Sequence, residues 1–385
     1  MKSKLSYLDG MRAFMAFNVI LCHFVCVYYP EMYFSDFSGA MSCFAKTPLS
    51  VLVNGNVAVV FFFALTGFLV GRSVFLKDVD VKIVPSKLLN RYLRLLPVVL
   101  IATLFTFLTM KFGIQYHLDI TNESVNRGFL SGYCNFDASF GSLVKNSFFL
   151  PFVNGSAYVG PFWTIKYELW GYVVVFLMAI SLKESKWRRL AYCAIGGITA
   201  FCLDAYYLVI IMGLFVADIE FNNNPTVCDK IYKKILSSKA FVCICFFVST
   251  YFACCPMNET FPLYSFWFKL PFVGHVVLRG FGMALFIWVS VNSKIIQRIL
   301  SAKPLVYLGE ISFETYALHW PLMLSCEAGL FLVLEKHLSY NAAALLSLLI
   351  TVVVIYISSV MLNILIKQGN KSISALYNKR IKKNN

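Results

Sequence analysis

The chain has 385 residues, of which 59% are hydrophobic and 14% are charged, and its mean hydropathy is +0.71. This composition excludes a soluble globular domain of that size and indicates an all-α, polytopic integral membrane protein whose partner is the lipid bilayer. The formal net charge of +15 would suit a nucleic-acid-binding protein, but Lys and Arg lie mainly between apolar segments, so we expect no nucleic-acid partner.

Ten mostly apolar runs recur along the chain, each close in length to a helix that crosses a hydrocarbon core of about 30 Å. The predicted spans are 8–29, 55–75, 95–112, 162–182, 189–203, 205–221, 240–256, 272–292, 305–334 and 341–366. If the N-terminus is cytoplasmic, 25 of the 34 Lys and Arg residues lie on the inner side, six on the outer side and three within spans. This bias predicts cytoplasmic termini and an even number of spans. Residues 1–366 would form one transmembrane domain, and residues 367–385 a basic cytoplasmic tail.

The first predicted span carries two ionisable residues, Arg12 and His23, inside an apolar run. Eleven residues at about 100° each make about three turns, so both side chains share one helix face about 16 Å apart. A charged residue within a spanning helix costs about 2.5–3.5 kcal/mol on insertion scales and usually faces a protein interior or a wet cavity. The pattern indicates a functional site. The structural alternatives are an Arg12 that snorkels to the headgroups and a His23 that is a satisfied core residue.

The next two predicted segments carry a packing feature and a cationic face. Gly67 and Gly71, four residues apart in the second span, allow a neighbouring helix to approach closely. Arg91 and Arg94, three residues apart, share one face of a predicted interfacial helix that ends at Pro97, where the third span begins. Guanidinium groups bind phosphate oxygens bidentately, so this face predicts a phosphate site, and membrane anchoring is the alternative.

The long outer segment, 113–161, is rich in Gly, Asn and Ser, and its 141–152 portion is predicted to form an interfacial helix. It leads into the fourth span, where Glu168 enters from the outer end close to Lys166. A buried carboxylate requires a partner or a function. A structural ion pair with Lys166 or with a neighbouring helix is therefore the alternative to a functional Glu168.

The eighth and ninth spans contain the remaining polar candidates. His275 and Arg279, four residues apart, are predicted to face either a cavity or the membrane interface. His319 is placed near the membrane centre and is followed by Pro321, which frees a backbone carbonyl around residue 317. His319 is thus a second candidate for histidine chemistry inside the membrane.

Most of the twelve cysteines lie within apolar spans, and their spacing does not match a metal site, so we expect small core residues and no metal. Cys43 and Cys134 lie in outer segments and are a possible disulfide pair.

Segments in a fixed order resemble the membrane-bound acyltransferase-3 family of O-acyltransferases. They are LDGMRAFMAFNVILCHF, VVFFFALTGFLVG, NRYLRLLP, FWTIKYELWGY and SFETYALHWP. The resemblance covers residues 5–366. The sequence departs from the family at Met11 and Ala13, where small or Gly residues are usual, and at Lys166. These departures bear on the substrate more than on the chemistry.

The resemblance implies an enzyme that takes an acyl group from cytoplasmic acyl-CoA and delivers it to a hydroxyl on the far side of a bacterial cytoplasmic membrane. It implies that Arg12 and His23 are the central pair and that Arg91 and Arg94 contact the CoA phosphates. Glu168 and His319 match positions that are less uniform in the family. It favours acetyl as the acyl group, and a surface glycan or lipid-linked sugar as the acceptor. It describes a stand-alone enzyme without a C-terminal hydrolase-like domain.

Elementary chemistry agrees with this assignment. Acyl transfer to an alcohol needs a base for the hydroxyl proton, and histidine is suited to that role because its ordinary pKa lies near working pH. The predicted depths place Arg12 toward the inner face, where it could also meet the donor, and place His23 further outward.

The alternative function is a proton-coupled transporter or flippase, since intramembrane His, Glu and Arg also build proton relays. The sequence shows no repeat or interrupted helix pair of the kind found in many transporters.

Overall fold

The computed structural model of the chain describes residues 5–34, 36–77, 79, 81–224, 226, 238–257, 261–270 and 274–384, with side chains as far as residue 369. The described residues are mostly helical and contain no strand, which confirms the all-α class. The long helices are α1 (Ser6–Tyr28), α2 (Gly55–Phe75), α3 (Val84–Lys111), α4 (Ile165–Leu182), α5 (Arg188–Cys202), α6 (Ala205–Phe221), α7 (Lys239–Ala253), α8 (His275–Asn292), α9 (Ser312–Leu334) and α10 (Tyr340–Asn384).

Seven of the helices in the described residues are long and apolar enough to cross a membrane, namely α1 to α4 and α8 to α10. The helices α5, α6 and α7 have 15, 17 and 15 residues. At 1.5 Å per residue they are about 22 to 26 Å long, shorter than a hydrocarbon core of about 30 Å. The protein is therefore a multi-pass membrane protein, while ten spans and cytoplasmic termini stay predictions.

Two predicted helix boundaries are wrong. The helix α3 continues through Pro97 as one helix of 28 residues, so Arg91 and Arg94 lie on the third spanning helix itself rather than on a separate interfacial helix. A proline inside a membrane helix is tolerated because neighbouring groups can satisfy the backbone it frees. The ninth predicted span is interrupted at Ile311, where a short helix, Lys303–Glu310, ends before α9 begins.

The helix α1 packs in the middle of the fold. Its first half shares an apolar core with α2, α4, α6 and α8. Its second half shares another core with α3, α9, α10 and part of the 113–161 segment. In a membrane such cores are held by van der Waals packing rather than by exclusion of water. Both predicted ionisable residues of α1 consequently lie among protein neighbours.

Gly67 and Gly213 allow α2 and α6 to touch backbone to backbone. A Cβ atom on Gly67 would lie 1.8 Å from the carbonyl oxygen of Ile210, and one on Gly213 would lie 1.8 Å from that of Ala64. Any side chain at either position would push the helices apart. The predicted close approach at Gly67 is therefore confirmed.

The 113–161 segment packs over the end of α1 that carries His23. The predicted helix over 141–152 is present as two short helices, Phe140–Phe148 and Leu150–Val153. The segment is attached to α1 by a backbone hydrogen bond of 2.8 Å from the N–H of Asn126 to the carbonyl of Val27. The His23 end of α1 is thus partly covered by this segment.

Cys43 and Cys134 are both free thiols, so the possible disulfide between them is not formed. Cys43 is exposed, whereas Cys134 is buried and its Sγ donates to the carbonyl of Tyr158 at 3.3 Å. Burial raises the pKa of the Cys134 thiol to about 12, which keeps it protonated and unreactive. Its environment is that of a small core residue.

Candidate active site

Two histidines from different helices meet inside the fold. Nε2 of His319 on α9 lies 2.9 Å from Nδ1 of His23 on α1. The two rings stack with their centroids 5.0 Å apart, and the ring of Trp320 packs edge-on against His23 at 4.9 Å. His319 is fully buried, and His23 is half-buried. The two histidine candidates are therefore one hydrogen-bonded unit.

The hydrogen-bond partners assign the protons of this pair. Nδ1 of His319 lies 2.6 Å from the backbone carbonyl oxygen of Tyr316. A carbonyl oxygen can only accept, so His319 Nδ1 donates, and the neutral ring keeps its lone pair on Nε2. That lone pair accepts the Nδ1–H of His23. Nε2 of His23 is then the unprotonated nitrogen of the pair, which is the atom a general base requires.

Arg12 lies at the other end of α1 from His23, about 16 Å away along the helix axis. Its Nη1 donates to Oδ1 of Asp9 at 2.8 Å, and 26% of its side chain is exposed. The side chain lines a cavity between helices rather than extending to the lipid headgroups, as the snorkelling alternative would require. His23 is not among the residues that line this cavity in the described part of the chain.

Glu168 joins three helices. Its Oε2 accepts from Nη2 of Arg91 on α3 and from Oγ1 of Thr66 on α2, the latter at 2.8 Å. Both members of the ion pair are partly buried, with side-chain exposures of 21% for Arg91 and 18% for Glu168. Lys166 lies over the ring of the residue that follows it, at 4.9 Å. No ion pair in the described residues joins Lys166 to Glu168. Of the two predicted partners, Glu168 therefore pairs with the neighbouring helix, through Arg91.

A cavity of about 290 Å³ connects these polar groups. Arg12, Arg91 and Arg94 line it together with Glu168 and Glu310, so three guanidinium groups and two carboxyl groups face one space. The α2 residues that line it extend along one side of the helix: Val59, Phe62, Phe63, Leu65, Thr66, Leu69, Val70 and Ser73. The ends of this stripe, Val59 and Ser73, are fourteen positions apart, which corresponds to about 21 Å along the axis. The cavity is therefore long, charged near the Arg12 end and apolar along α2.

Tyr316 lies between the cavity and the histidine pair. Its side chain lines the cavity, and its hydroxyl donates to the carbonyl of Pro161 and lies 2.8 Å from Oγ1 of Thr164. Its own carbonyl accepts the hydrogen bond from His319. One residue thus contacts both the cavity and the histidine pair.

Arg279 belongs to a different buried cluster. Its guanidinium on α8 is fully buried and donates to the carbonyl of Cys255 at 2.7 Å and to Oδ1 of Asn56 at 3.2 Å. It does not line the cavity described above. Of the two predicted locations for Arg279, the membrane interface is wrong, because a backbone carbonyl and amide side chains enclose the guanidinium.

Sequence reasoning missed several side chains that complete the site, namely Asp9, Thr66, Tyr316 and Trp320. Helix spacing could have identified two of them. Asp9 precedes Arg12 by three residues and Tyr316 precedes His319 by three, so each pair is adjacent on one helix face. Thr66 is the one hydroxyl in an otherwise apolar stretch of α2. The contact of Trp320 with His23 joins two distant helices and has no local signal.

The sequence profile of the acyltransferase-3 family, described as an acyltransferase domain, matches residues 5–362. The match covers nearly the whole chain, including all of the residues that line the cavity and both histidines. No curated protein and no solved structure matches the chain.

Proposed function

Since the chain belongs to the acyltransferase-3 family and is a multi-pass membrane acyltransferase, we propose that its donor is cytoplasmic acyl-CoA, with acetyl as the acyl group. We further propose that the acceptor is a hydroxyl of a surface glycan or lipid-linked sugar on the outer side. The membrane would be the cytoplasmic membrane of a bacterium. Four steps of argument support this assignment.

The first step concerns the charged part of the donor. CoA carries phosphate groups, and guanidinium groups are the side chains best suited to bind phosphate oxygens in pairs. Arg12, Arg91 and Arg94 line one cavity. Arg12 is paired with Asp9 and Arg91 with Glu168, whereas Arg94 takes part in none of the ion pairs of the described residues. The guanidinium of Arg94, close to two paired ones, supports a phosphate-bearing ligand at the end of the cavity that the arginines share.

The second step concerns the length of the cavity. The stripe on α2 extends for about 21 Å, so a long, thin molecule fits better than a compact one. The pantetheine arm of CoA is such a chain, and its thioester would lie far from the phosphates. With the phosphates at Arg12, the thioester would reach the Tyr316 end, next to the histidine pair.

The third step concerns the base. His23 Nε2 would remove the proton from the acceptor hydroxyl while the new carbon–oxygen bond forms and the carbon–sulfur bond of the thioester breaks. The proton would then pass to the thiolate of CoA, so the reaction yields an ester and free CoA. His319 holds His23 in the required tautomer through the 2.9 Å hydrogen bond. This bond is the single observation that carries the proposal.

The fourth step concerns the side of access. The cavity lies at the Arg12 end of α1, and the half-buried His23 lies at the other end, beside the 113–161 segment. The positive-inside bias of Lys and Arg supports a cytoplasmic location for the Arg12 end, the side on which CoA thioesters are made. Donor and acceptor would therefore approach His23 from opposite sides.

The test is transfer of label from radiolabelled acetyl-CoA by the protein in nanodiscs, with glycan and lipid-linked fractions of native membranes as acceptors. We expect label in an acceptor fraction, as base-labile ester, with an equal amount of free CoA. His23→Ala protein at the same concentration serves as the control. Movement of a solute or lipid across the bilayer without release of CoA would contradict the proposal and favour a transporter or flippase.

A further inference from the structure

A second cavity, of about 10 Å³, lies where α1, α9 and the 113–161 segment meet. Its lining includes Glu327 and Trp320 from α9, Tyr28 from α1 and His117 from the segment. This volume is about that needed for the centre of one water molecule. The cavity is separate from the site proposed for the donor, since no residue lines both.

Three buried side chains reach this small cavity with polar atoms that have no hydrogen bond to any described residue. They are both carboxyl oxygens of Glu327, Nδ1 of His117 and Nε1 of Trp320. The exposed fractions of the three residues are 0%, 2% and 1%. Buried polar groups in proteins almost always have a partner, either protein or ordered water. Their convergence on one cavity of this size indicates a bound water molecule.

A π-helical turn, Met323–Glu327, builds the site within α9. The carbonyl of Leu324 in that turn accepts the backbone N–H groups of Tyr116 and His117 at 3.1 and 3.2 Å. These two hydrogen bonds attach the 113–161 segment to the turn and place His117 beside Glu327. Single π-helical turns are rare and are frequently found at functional sites.

The donors and acceptors around the cavity complement one water molecule. Nε2 of His117 lies 3.0 Å from the carbonyl of Tyr133 and donates to it, so Nδ1 of the neutral ring is an acceptor. Burial lowers the pKa of His117, which favours that neutral ring. Trp320 Nε1 can only donate. A water molecule that accepts from Trp320 and donates to His117 keeps further hydrogen-bonding capacity for Glu327.

The burial of Glu327 determines the form of its carboxyl group. None of the ion pairs in the described residues includes it, and an ionised carboxylate without a cation is costly in the membrane interior. A neutral carboxylic acid can donate its O–H to the water instead. The water would then make about three hydrogen bonds, the usual number for a buried water.

We propose that Glu327 is protonated and that it binds one water molecule together with His117 and Trp320. The water fixes the indole of Trp320, whose ring packs edge-on against His23 at 4.9 Å. Glu327 is therefore a positioning residue that acts on His23 through Trp320. The positioning role rests on the proposed function, whereas the protonated acid and the water site do not.

Infrared spectroscopy tests the water site without any activity measurement. Comparison of wild-type protein with Glu327→Gln and Glu327→Leu, in ordinary and heavy-oxygen water, should show one carboxylic-acid band that both variants lack. It should also show one water band that shifts with the isotope, that Glu327→Gln keeps and that Glu327→Leu lacks. The matched control is Glu335→Gln, a half-buried carboxyl at the end of α9 that should leave both bands in place. A carboxylate band lost in place of the acid band, or no isotope-sensitive water band, would overturn the proposal.

Acetyl transfer to native membranes tests the positioning role. Glutamine donates an N–H to the water as the neutral acid donates its O–H, so Glu327→Gln should keep at least half of the wild-type kcat. Glu327→Leu should lower kcat on the order of 10–100-fold with little change in KM for acetyl-CoA, because His23 is misplaced while the donor site is intact. Glu335→Leu should match wild type. An equal loss of kcat in Glu327→Gln and Glu327→Leu, at matched protein level, would show that a neutral hydrogen-bond donor at position 327 is not sufficient. Full kcat in Glu327→Leu would show that Glu327 does not position His23.

Discussion

The guanidinium of Arg91 on α3 pairs with the carboxylate of Glu168 on α4, so a cation that faces the cavity also holds two helices together. Arg94, one turn further along α3, lines the same cavity and takes part in none of the ion pairs of the described residues. The two arginines, which look equivalent in the sequence, are therefore expected to behave differently when they are replaced.

Arg94→Ala should weaken binding of acyl-CoA and leave the thermal stability of the protein in detergent unchanged. A hydrogen bond to a charged group contributes about 1.5–3 kcal/mol, so the KM for acetyl-CoA should rise roughly 10- to 150-fold. Arg94→Lys should recover only part of this loss, because an ammonium cannot bind a phosphate bidentately. Full recovery in Arg94→Lys would show that positive charge alone is sufficient.

Arg91→Ala should weaken donor binding and also destabilise the protein, because it leaves Glu168 without its cation. The loss should be smaller than the about 3–5 kcal/mol found when a fully buried pair is broken, since 21% of Arg91 and 18% of Glu168 remain exposed. Thermal unfolding in detergent measures it. Adding Glu168→Gln to Arg91→Ala should restore part of the stability, and a double variant less stable than Arg91→Ala would contradict the pairing.

Thr66→Val should destabilise the protein by about 1–2 kcal/mol, because it removes the 2.8 Å hydrogen bond to Glu168 without a large change of volume. The matched control is Thr103→Val on α3, where a fully buried hydroxyl has no hydrogen-bond partner among the described residues. That change should be neutral or stabilising. Equal melting temperatures for the two variants would show that the hydroxyl of Thr66 is not important for stability.

Cysteine labelling tests the orientation on which the donor argument depends. In a protein whose exposed native cysteines are replaced by serine, Ser124→Cys should react with an impermeant maleimide in intact cells. Lys87→Cys should react only after permeabilisation. Both positions are exposed in the structure, so access to the reagent depends on the side of the membrane. The reverse pattern would place the cavity on the outside and exclude cytoplasmic CoA as the donor.

The sequence predicts the fold class and most helix positions, because apolar runs of membrane length are a strong signal. It also predicts most of the ionisable residues of the candidate site, although not Asp9, since charged residues within apolar runs are rare. It does not predict which of them meet. The contact between His23 and His319 joins residues 296 positions apart, and the pairing of Glu168 with Arg91 rather than Lys166 is set by helix packing. The break at Ile311 and the continuation of α3 through Pro97 depend in the same way on neighbouring helices.

The central claim is that His23 and His319 act as one catalytic unit, with His23 as the base and His319 as the residue that fixes its tautomer. His23→Ala should lower acetyl transfer by about 10²- to 10⁴-fold, because it removes the proton acceptor. His319→Leu should also lower it, whereas His319→Gln, whose amide oxygen can accept the Nδ1–H of His23, should keep more activity. Insertion should change little, since a polar group is removed from the membrane interior. Loss of the 2.9 Å hydrogen bond between the two histidines should lower the stability by about 1–2 kcal/mol.

The most direct test is acetyl transfer from radiolabelled acetyl-CoA to native membranes by wild type, the two single alanine variants and the double variant, at matched protein level. Residues that work as a unit have strongly non-additive effects. We predict that the double variant His23→Ala/His319→Ala retains the same residual activity as His23→Ala alone. Losses that multiply in the double variant, or substantial activity in a well-inserted His23→Ala protein, would contradict the account.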